Sequence, residues 1–408
     1  MKLPEIPKLP MHSNNFCYNF SNLSHRKGLH MRKFIALIFL ATSFSFSSGY
    51  KNSDILISPE EAIKLIGKPG VMFVSGDSED VYELGHIRGS VSMFAHHLHH
   101  SDGMGRLHCE PLFRCIDDAE KYIGSKGIDN DTLVIAYDDY RGPNATGVYH
   151  FFKSYGHKKV KILDGGRNAI MQLDPNRPIY ENMRAEWKEA KKKAKKLKKE
   201  LRKAKKAMKK GEITKEEYKA LKKEAKQAKK LANKLKKQLD EFGQKNLLVI
   251  KGKEKVEPKE YHIDPANIDT SNVATTAEVK HAMEDILKNG DDSKYRIVDA
   301  RSMIEIIGER KMDNVARGGH IPGAKFIEWK QISDANNKRP FKSAEELKEV
   351  FEKFNISTDN TVYAYCQVGT GRGSEIITAL QLLGAKNVKI YSGSWDSWGN
   401  NMNLPIKR

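Results

Sequence analysis

No apolar run in this chain reaches the roughly 20 residues that an ordinary membrane-spanning helix needs. Cysteine is scarce, with 4 in 408 residues. The two nearest to each other, Cys109 and Cys115, have a Cys-x5-Cys spacing that fits neither a zinc knuckle nor a haem attachment site. Acidic residues are absent between Cys366 and Arg372. The chemistry read from the cysteine turn needs no metal or organic cofactor. The net charge of +19 is also misleading as a whole-chain property. Between Arg184 and Lys245 there are 26 Lys and Arg against 9 Asp and Glu, and residues 1–33 carry a further net +5. What remains is close to neutral, so the basic character belongs to one insert. That insert lacks aromatics spaced for stacking, which argues against a nucleic-acid partner.

The N-terminus has the form of an address. A basic Met31-Arg-Lys33 precedes the mostly apolar stretch from Phe34 to Phe46, and Ser47-Ser-Gly49 supplies small residues suited to cleavage. Residues 1–49 therefore read as a leader, with a signal peptide over about 31–49 and a start-like Met31 after an upstream extension. Periplasmic or secreted location is the expectation. No cysteine follows the apolar run, so a lipoprotein anchor is disfavoured. Cleavage leaves Cys109 and Cys115 to pair in an oxidising compartment and Cys366 as the odd thiol.

Two segments of the chain repeat one another. Gly85-His-Ile-Arg-Gly, Leu133 to Asp139 and Val160 to Gly166 recur in order as Gly319-His-Ile-Pro-Gly, Thr361 to Gln367 and Val388 to Ser394. Each half carries short β-type runs: Val71 to Val74, Leu133 to Tyr137 and Val160 to Leu163, then Ile297 to Asp299, Thr361 to Tyr365 and Val388 to Tyr391. Amphipathic runs such as Ser343 to Phe354 lie between them. Alternation of this kind predicts an α/β fold with parallel sheets covered on both faces. The expected boundaries are a first domain over 50–180, a Lys-rich segment over 181–245, a linker over 246–267 and a second domain over 268–408. In the Lys-rich segment apolar residues step by three and four from Trp187 to Met208 and again from Tyr218 to Phe242. Gly211 breaks the run, and Thr214 with Glu217 forms a capping box that restarts a helix. Two such seams predict an antiparallel, coiled-coil-like hairpin. Its lysines are either a solvated face or a dock for an acidic protein or anionic membrane surface.

Cys366 ends one of the β-type runs. Gln367, Val368, Gly369, Thr370 and Gly371 form a Gly-rich turn, and a helical run begins near Ser374. Strand, tight turn and helix N-terminus aim successive backbone N–H groups at one atom, an arrangement that stabilises a thiolate and any anion it carries. Arg372 would close that anion loop. Aligning the halves sets Asp138 where the second has Cys366, so the first half keeps the scaffold without the nucleophile.

The paired Gly-His-Ile motifs, the cysteine loop and the ending Tyr391-Ser-Gly-Ser-Trp-Asp-Ser-Trp-Gly399 together resemble a tandem-domain rhodanese of the thiosulfate or 3-mercaptopyruvate sulfurtransferase kind. The resemblance implies two rhodanese-like domains with the basic hairpin between them, the first inactive. It also implies ping-pong transfer of sulfane sulfur from thiosulfate or a similar small anion, through a Cys366 persulfide, to a thiol or cyanide acceptor. Arg301 sits where the family often has an arginine near the site. The alternative roles are substrate binding or an ion pair with Asp299. His320 belongs to the structural turn, and Trp395 and Trp398 are expected to pack the domain interface. The Cys-x5-Arg spacing also resembles the loop of related cysteine phosphatases and arsenate reductases. A non-catalytic sulfur carrier or docking protein is the third class. His96, His97, His99, His100 and His108 form a tract read as an exposed loop, with metal binding the competing reading.

Overall fold

The computed structural model describes residues 49–98, 107 and 109–408. The leader and His99, His100 and His108 lie outside the described residues. Among the described residues the first half contributes β1 (Leu56–Ile57), β2 (Val71–Ser75), β3 (His86–Ile87), β4 (Val91–Ser92), β5 (Leu133–Tyr137), β6 (Val160–Leu163) and β7 (Val249–Ile250). The second contributes β8 (Val273–Ala274), β9 (Tyr295–Asp299), β10 (Lys325–Phe326), β11 (Thr361–Tyr365) and β12 (Val388–Tyr391). One sheet runs β1-β6-β5-β2-β4 and the other β10-β9-β11-β12-β8, every pairing parallel. Read in opposite directions these are the same order, as the repeat requires. Their runs are Val-, Ile- and Tyr-rich because both faces are covered by helices.

The repeat extends to individual hydrogen bonds. Ile87 N–H donates to the Tyr137 hydroxyl at 3.1 Å, and Ile321 N–H to the Tyr365 hydroxyl at 3.1 Å. His86 Nδ1 lies 3.0 Å from the Tyr82 carbonyl, and His320 Nδ1 lies 3.0 Å from that of Ile306. Both histidines therefore fix the Gly-His-Ile turn to the helix before it.

The hairpin comprises helices Arg177–Lys209 and Lys215–Asn246. At about 1.5 Å per residue each is roughly 50 Å long. Glu217 N–H donates to Thr214 Oγ1 at 3.2 Å and Thr214 N–H to Glu217 Oε2 at 2.8 Å, which completes the capping box. Leu197, Ala228, Ala232 and Leu239 are buried along the seam, and small alanines let the backbones approach. Its place in the topology differs from expectation. β7, which follows it, pairs antiparallel with β3 of the first half. Gly252 N–H then donates to the Glu83 carbonyl and Lys259 N–H to that of Gly124, each at 2.9 Å. The stretch expected as a linker thus finishes the first domain, and the hairpin is an insertion within that domain. The second half is finished the same way, by an antiparallel bridge of His320 with Lys407.

The halves meet through equivalent helices, Pro143–Ser154 and Arg372–Leu382. Val148, Phe151 and Phe152 share one buried cluster with Ile376, Ile377 and Leu380. His150 Nε2 lies 3.0 Å from Thr378 Oγ1 across this contact, and burial lowers its pKa to about 3, so it is neutral. Trp395 and Trp398 do not join the interface. Both are fully buried with Tyr365, Tyr391 and Leu404 in the second domain's own core.

Candidate active site

Cys366 lies one residue past β11, the central strand of its sheet, where loops of parallel sheets gather their ligands. It is 2% exposed, and Gln367, Val368, Thr370 and Gly371 around it are buried too. Five residues separate it from the helix Arg372–Leu382. Gly369 at φ 92° and Gly371 at φ 113° supply left-handed turns that other side chains resist. A Cβ on Gly371 would also stand 3.4 Å from His96 Nε2 of the first domain.

What orients the loop is the short helix Ser394–Asn400 behind it. Trp395 N–H donates to the Cys366 carbonyl at 3.1 Å and Asp396 N–H to the Gln367 carbonyl at 3.0 Å. In a planar trans peptide the carbonyl and the N–H point in opposite directions. Drawing these two carbonyls toward the helix therefore turns the N–H groups of Gln367 and Val368 away from it. Cys366 N–H itself donates to Ser394 Oγ at 3.0 Å, and Ser394, at φ 49°, is held in a conformation rare for its type. Gly371 N–H is satisfied by Ser374 Oγ at 3.0 Å. The amides of Gln367, Val368, Gly369 and Thr370 meet no acceptor among the described residues. The Gln367 side-chain Nε2 is likewise buried without a partner. Buried donors left unpaired cost on the order of 1–3 kcal/mol each. A ring of them beside a cysteine and a helix N-terminus suits a bound anion.

Arg372 lies at this ring, but its fork is turned onto Glu305. Nη1 and Nη2 donate to Oε2 and Oε1 at 2.8 and 3.1 Å. Burial works against the Arg372 charge, yet its bonds to Glu305 outweigh it and raise its pKa. Burial likewise pushes Glu305 up, but Arg372 and Ser302 together bring its carboxyl down to about 2. Arg301 is placed differently from the substrate-binding role expected of it. Its side chain is 1% exposed and paired with Asp299 at 2.7 Å, and it donates to the Gly319 carbonyl at 2.7 Å. Its guanidinium also lies 4.5 Å from the Trp395 ring. With these partners Arg301 is a core ion pair that fixes the strand end and the Gly-His-Ile turn.

The first domain reaches the loop as well. Thr370 Oγ1 donates to the Ala95 carbonyl at 2.8 Å. Cys109 and Cys115 are joined as a disulfide, as their count suggested. No cluster of potential metal ligands occurs among the described residues. Ser394 and Asp396 lay inside a recognised motif, but their backbone role was not readable from it. Glu305 was legible only as an acidic residue, without its partner.

In the first half Asp138 takes the position of Cys366, and its own carboxylate fills the loop. It accepts from the N–H groups of Gly142 at 2.9 Å, Asn144 at 3.2 Å and Ala145 at 3.3 Å. Burial, with Asp77 and Asp139 nearby, still raises its pKa to about 7.

The sequence matches the rhodanese-like domain twice, over residues 58–173 and 282–401, together more than half of the chain. It is 25% identical to the sulfur carrier protein TtuD of Thermus thermophilus, over 88% of this chain and 99% of that one. It is 24% identical to a thiosulfate sulfurtransferase of Corynebacterium glutamicum, over 88% and 92%. Among solved structures, SseA of Escherichia coli, described as a 3-mercaptopyruvate sulfotransferase, superposes with a TM-score of 0.54 at 19% identity, covering 84% of this chain and 98% of that one. An anaerobic ergothioneine biosynthesis enzyme from Chlorobium limicola gives 0.55 at 19% identity, covering 88% and 71%. Sulfur carriage or transfer is the chemistry named for TtuD, the Corynebacterium enzyme and SseA. With both halves matched and the cysteine loop confined to the second, the chain belongs to the rhodanese-like family as a tandem of two such domains.

Proposed function

We propose that this protein is an exported sulfurtransferase that takes sulfane sulfur from thiosulfate or a similar donor and hands it to a thiophilic acceptor. Cys366 as thiolate attacks the outer sulfur of thiosulfate. The sulfur–sulfur bond breaks, and sulfite leaves with its electron pair. The resulting Cys366 persulfide carries its negative charge on the outer sulfur, where the loop amides from Gln367 to Thr370 receive it. Cyanide or a thiolate then attacks that sulfur and returns Cys366 to its starting state. The unpaired amides, with the Cys366 and Gln367 carbonyls drawn back by the helix Ser394–Asn400, carry this reading. Arg372 adds positive charge to the loop while Glu305 fixes its position. That engagement counts against the phosphatase alternative, in which the arginine must be available to clamp a tetrahedral oxyanion.

The decisive experiment is mass measurement of the full chain after incubation with thiosulfate, followed by cyanide. The expected result is a gain of one sulfur that cyanide removes as thiocyanate, both absent in Cys366→Ser. A stable sulfur load without turnover would make the protein a carrier, and phosphate release from an ester without sulfur gain would sink the proposal. N-terminal sequencing of the secreted form tests cleavage near residue 49.

The hairpin, in this reading, docks the enzyme on an anionic membrane surface. Of the 26 basic residues between Arg184 and Lys245, 24 are lysine. Lysine is a hydrated point charge suited to a diffuse field, whereas specific protein interfaces favour arginine and buried aromatic anchors. Binding to phosphatidylglycerol vesicles at low salt, lost at about 0.5 M salt and absent with phosphatidylcholine, is expected. Failure to bind at low salt excludes this dock.

A further inference from the structure

We infer that Glu110, in the domain without the nucleophile, is a positioning residue for the cradle around Cys366. The inference rests on the cradle reading given above and extends it across the domain boundary.

Ser397 Oγ donates a hydrogen bond to Glu110 Oε2. The other carboxylate oxygen lies over Gly393, where an added Cβ would come within 2.3 Å of Oε1. The carboxylate therefore bridges the first turn of the helix Ser394–Asn400, whose Ser397 N–H donates to the Gly393 carbonyl at 2.9 Å. This same turn presents Ser394 Oγ to Cys366 N–H, Trp395 N–H to the Cys366 carbonyl and Asp396 N–H to the Gln367 carbonyl. Any shift of the turn rotates the peptides whose N–H groups form the cradle. Ser394 holds the turn at φ 49°, a conformation that needs outside support in a residue other than glycine.

Glu110 is itself anchored. Its neighbour Cys109 is fully buried and bonded to Cys115. The Arg114 carbonyl accepts from the Tyr155 hydroxyl. A disulfide-closed loop of the first domain thus carries the carboxylate, and the carboxylate meets the turn. This gives the first domain a part in the reaction that does not require it to touch sulfur.

The test compares Glu110→Ala, Glu110→Gln and Ser397→Ala in the full chain. Steady-state transfer from thiosulfate to cyanide, alkylation of Cys366 by iodoacetamide and the thermal midpoint are measured for each. Glu110→Ala and Ser397→Ala are expected to lower kcat about tenfold, with KM for cyanide unchanged. Alkylation should slow about threefold in parallel. Glu110→Gln keeps an acceptor oxygen and should recover most of the rate. A loss of thermal stability with kcat intact, or Gln no better than Ala, overturns the inference. Alkylation needs no sulfur donor, so it reads the brace even if the wild-type protein fails to turn over sulfur. Such a failure would count against the proposed function and leave the brace to be judged by alkylation alone.

Discussion

At the end of the central strand of each sheet, the two halves set different residues before a turn and a helix N-terminus. In the first, Asp138 bends its own carboxylate back onto the N–H groups of Gly142, Asn144 and Ala145. In the second, Cys366 has a thiol too short to reach across, and a loop one residue longer than the four between Asp138 and Pro143. There the amides from Gln367 to Thr370 stay unpaired among the described residues, while Gly371 N–H, the counterpart of Gly142, is taken by Ser374 Oγ. One half fills its helix N-terminus with its own carboxylate, and the other leaves loop amides open, which the proposed function assigns to a ligand. The comparison teaches that the strand, turn and helix are common to both halves, and that the residue at the head of the turn decides how its amides are satisfied.

The sharpest way to break this comparison is to exchange the occupants. Cys366→Asp should abolish sulfur loading completely, as read by mass after thiosulfate, while the thermal midpoint holds or rises because the new carboxylate satisfies the amides. A clear fall in the midpoint would show that the two rings are not equivalent. Next in size is Asp138→Ala, which leaves the first ring without its acceptor. A destabilisation of about 3 kcal/mol by denaturant titration is expected, with sulfur loading at Cys366 retained.

The smallest effect is a pH dependence. Burial raises Asp138 to about 7, so folding favours its protonated form. That contribution is complete below the ordinary carboxylate range near 4 and is lost as pH rises through about 7. Glu375 works in the same direction, since burial and then Asp138 hold its carboxyl well above the usual value. Unfolding free energy should therefore fall between about pH 4 and pH 7, and Asp138→Asn should flatten the slope. An unchanged slope in that variant would remove Asp138 as its source.

Much of this architecture was legible in the sequence. The runs Leu133 to Tyr137, Thr361 to Tyr365 and Val388 to Tyr391 became strands with those bounds, because a short β-branched run between turn residues has few other fates. Thr214 with Glu217 marked the second hairpin helix through local chemistry alone. Cys366 stood out because strand, glycines and helix follow in immediate order. What escaped were contacts between distant parts of the chain. Nothing local to Val249–Ile250 says that it pairs with His86–Ile87 rather than spanning a linker. Arg301 had two open roles until Asp299 and Trp395 were seen around it. Glu305 gave no local sign that it is the partner of Arg372, 67 residues on. Glu110 carries no sequence signal at all, since its partner is 287 residues away.

The position of the hairpin before β7 has a consequence for how the molecule is built and altered. The β3–β7 pair of the first domain cannot form until some seventy residues of lysine-coated helix have been synthesised and folded back. Because antiparallel helices return to their starting point, the two ends of the arm emerge side by side. The arm is therefore a detachable part: a short turn joining its base should let β3 and β7 pair unaided, separating any role of the arm from that of the half that carries Cys366.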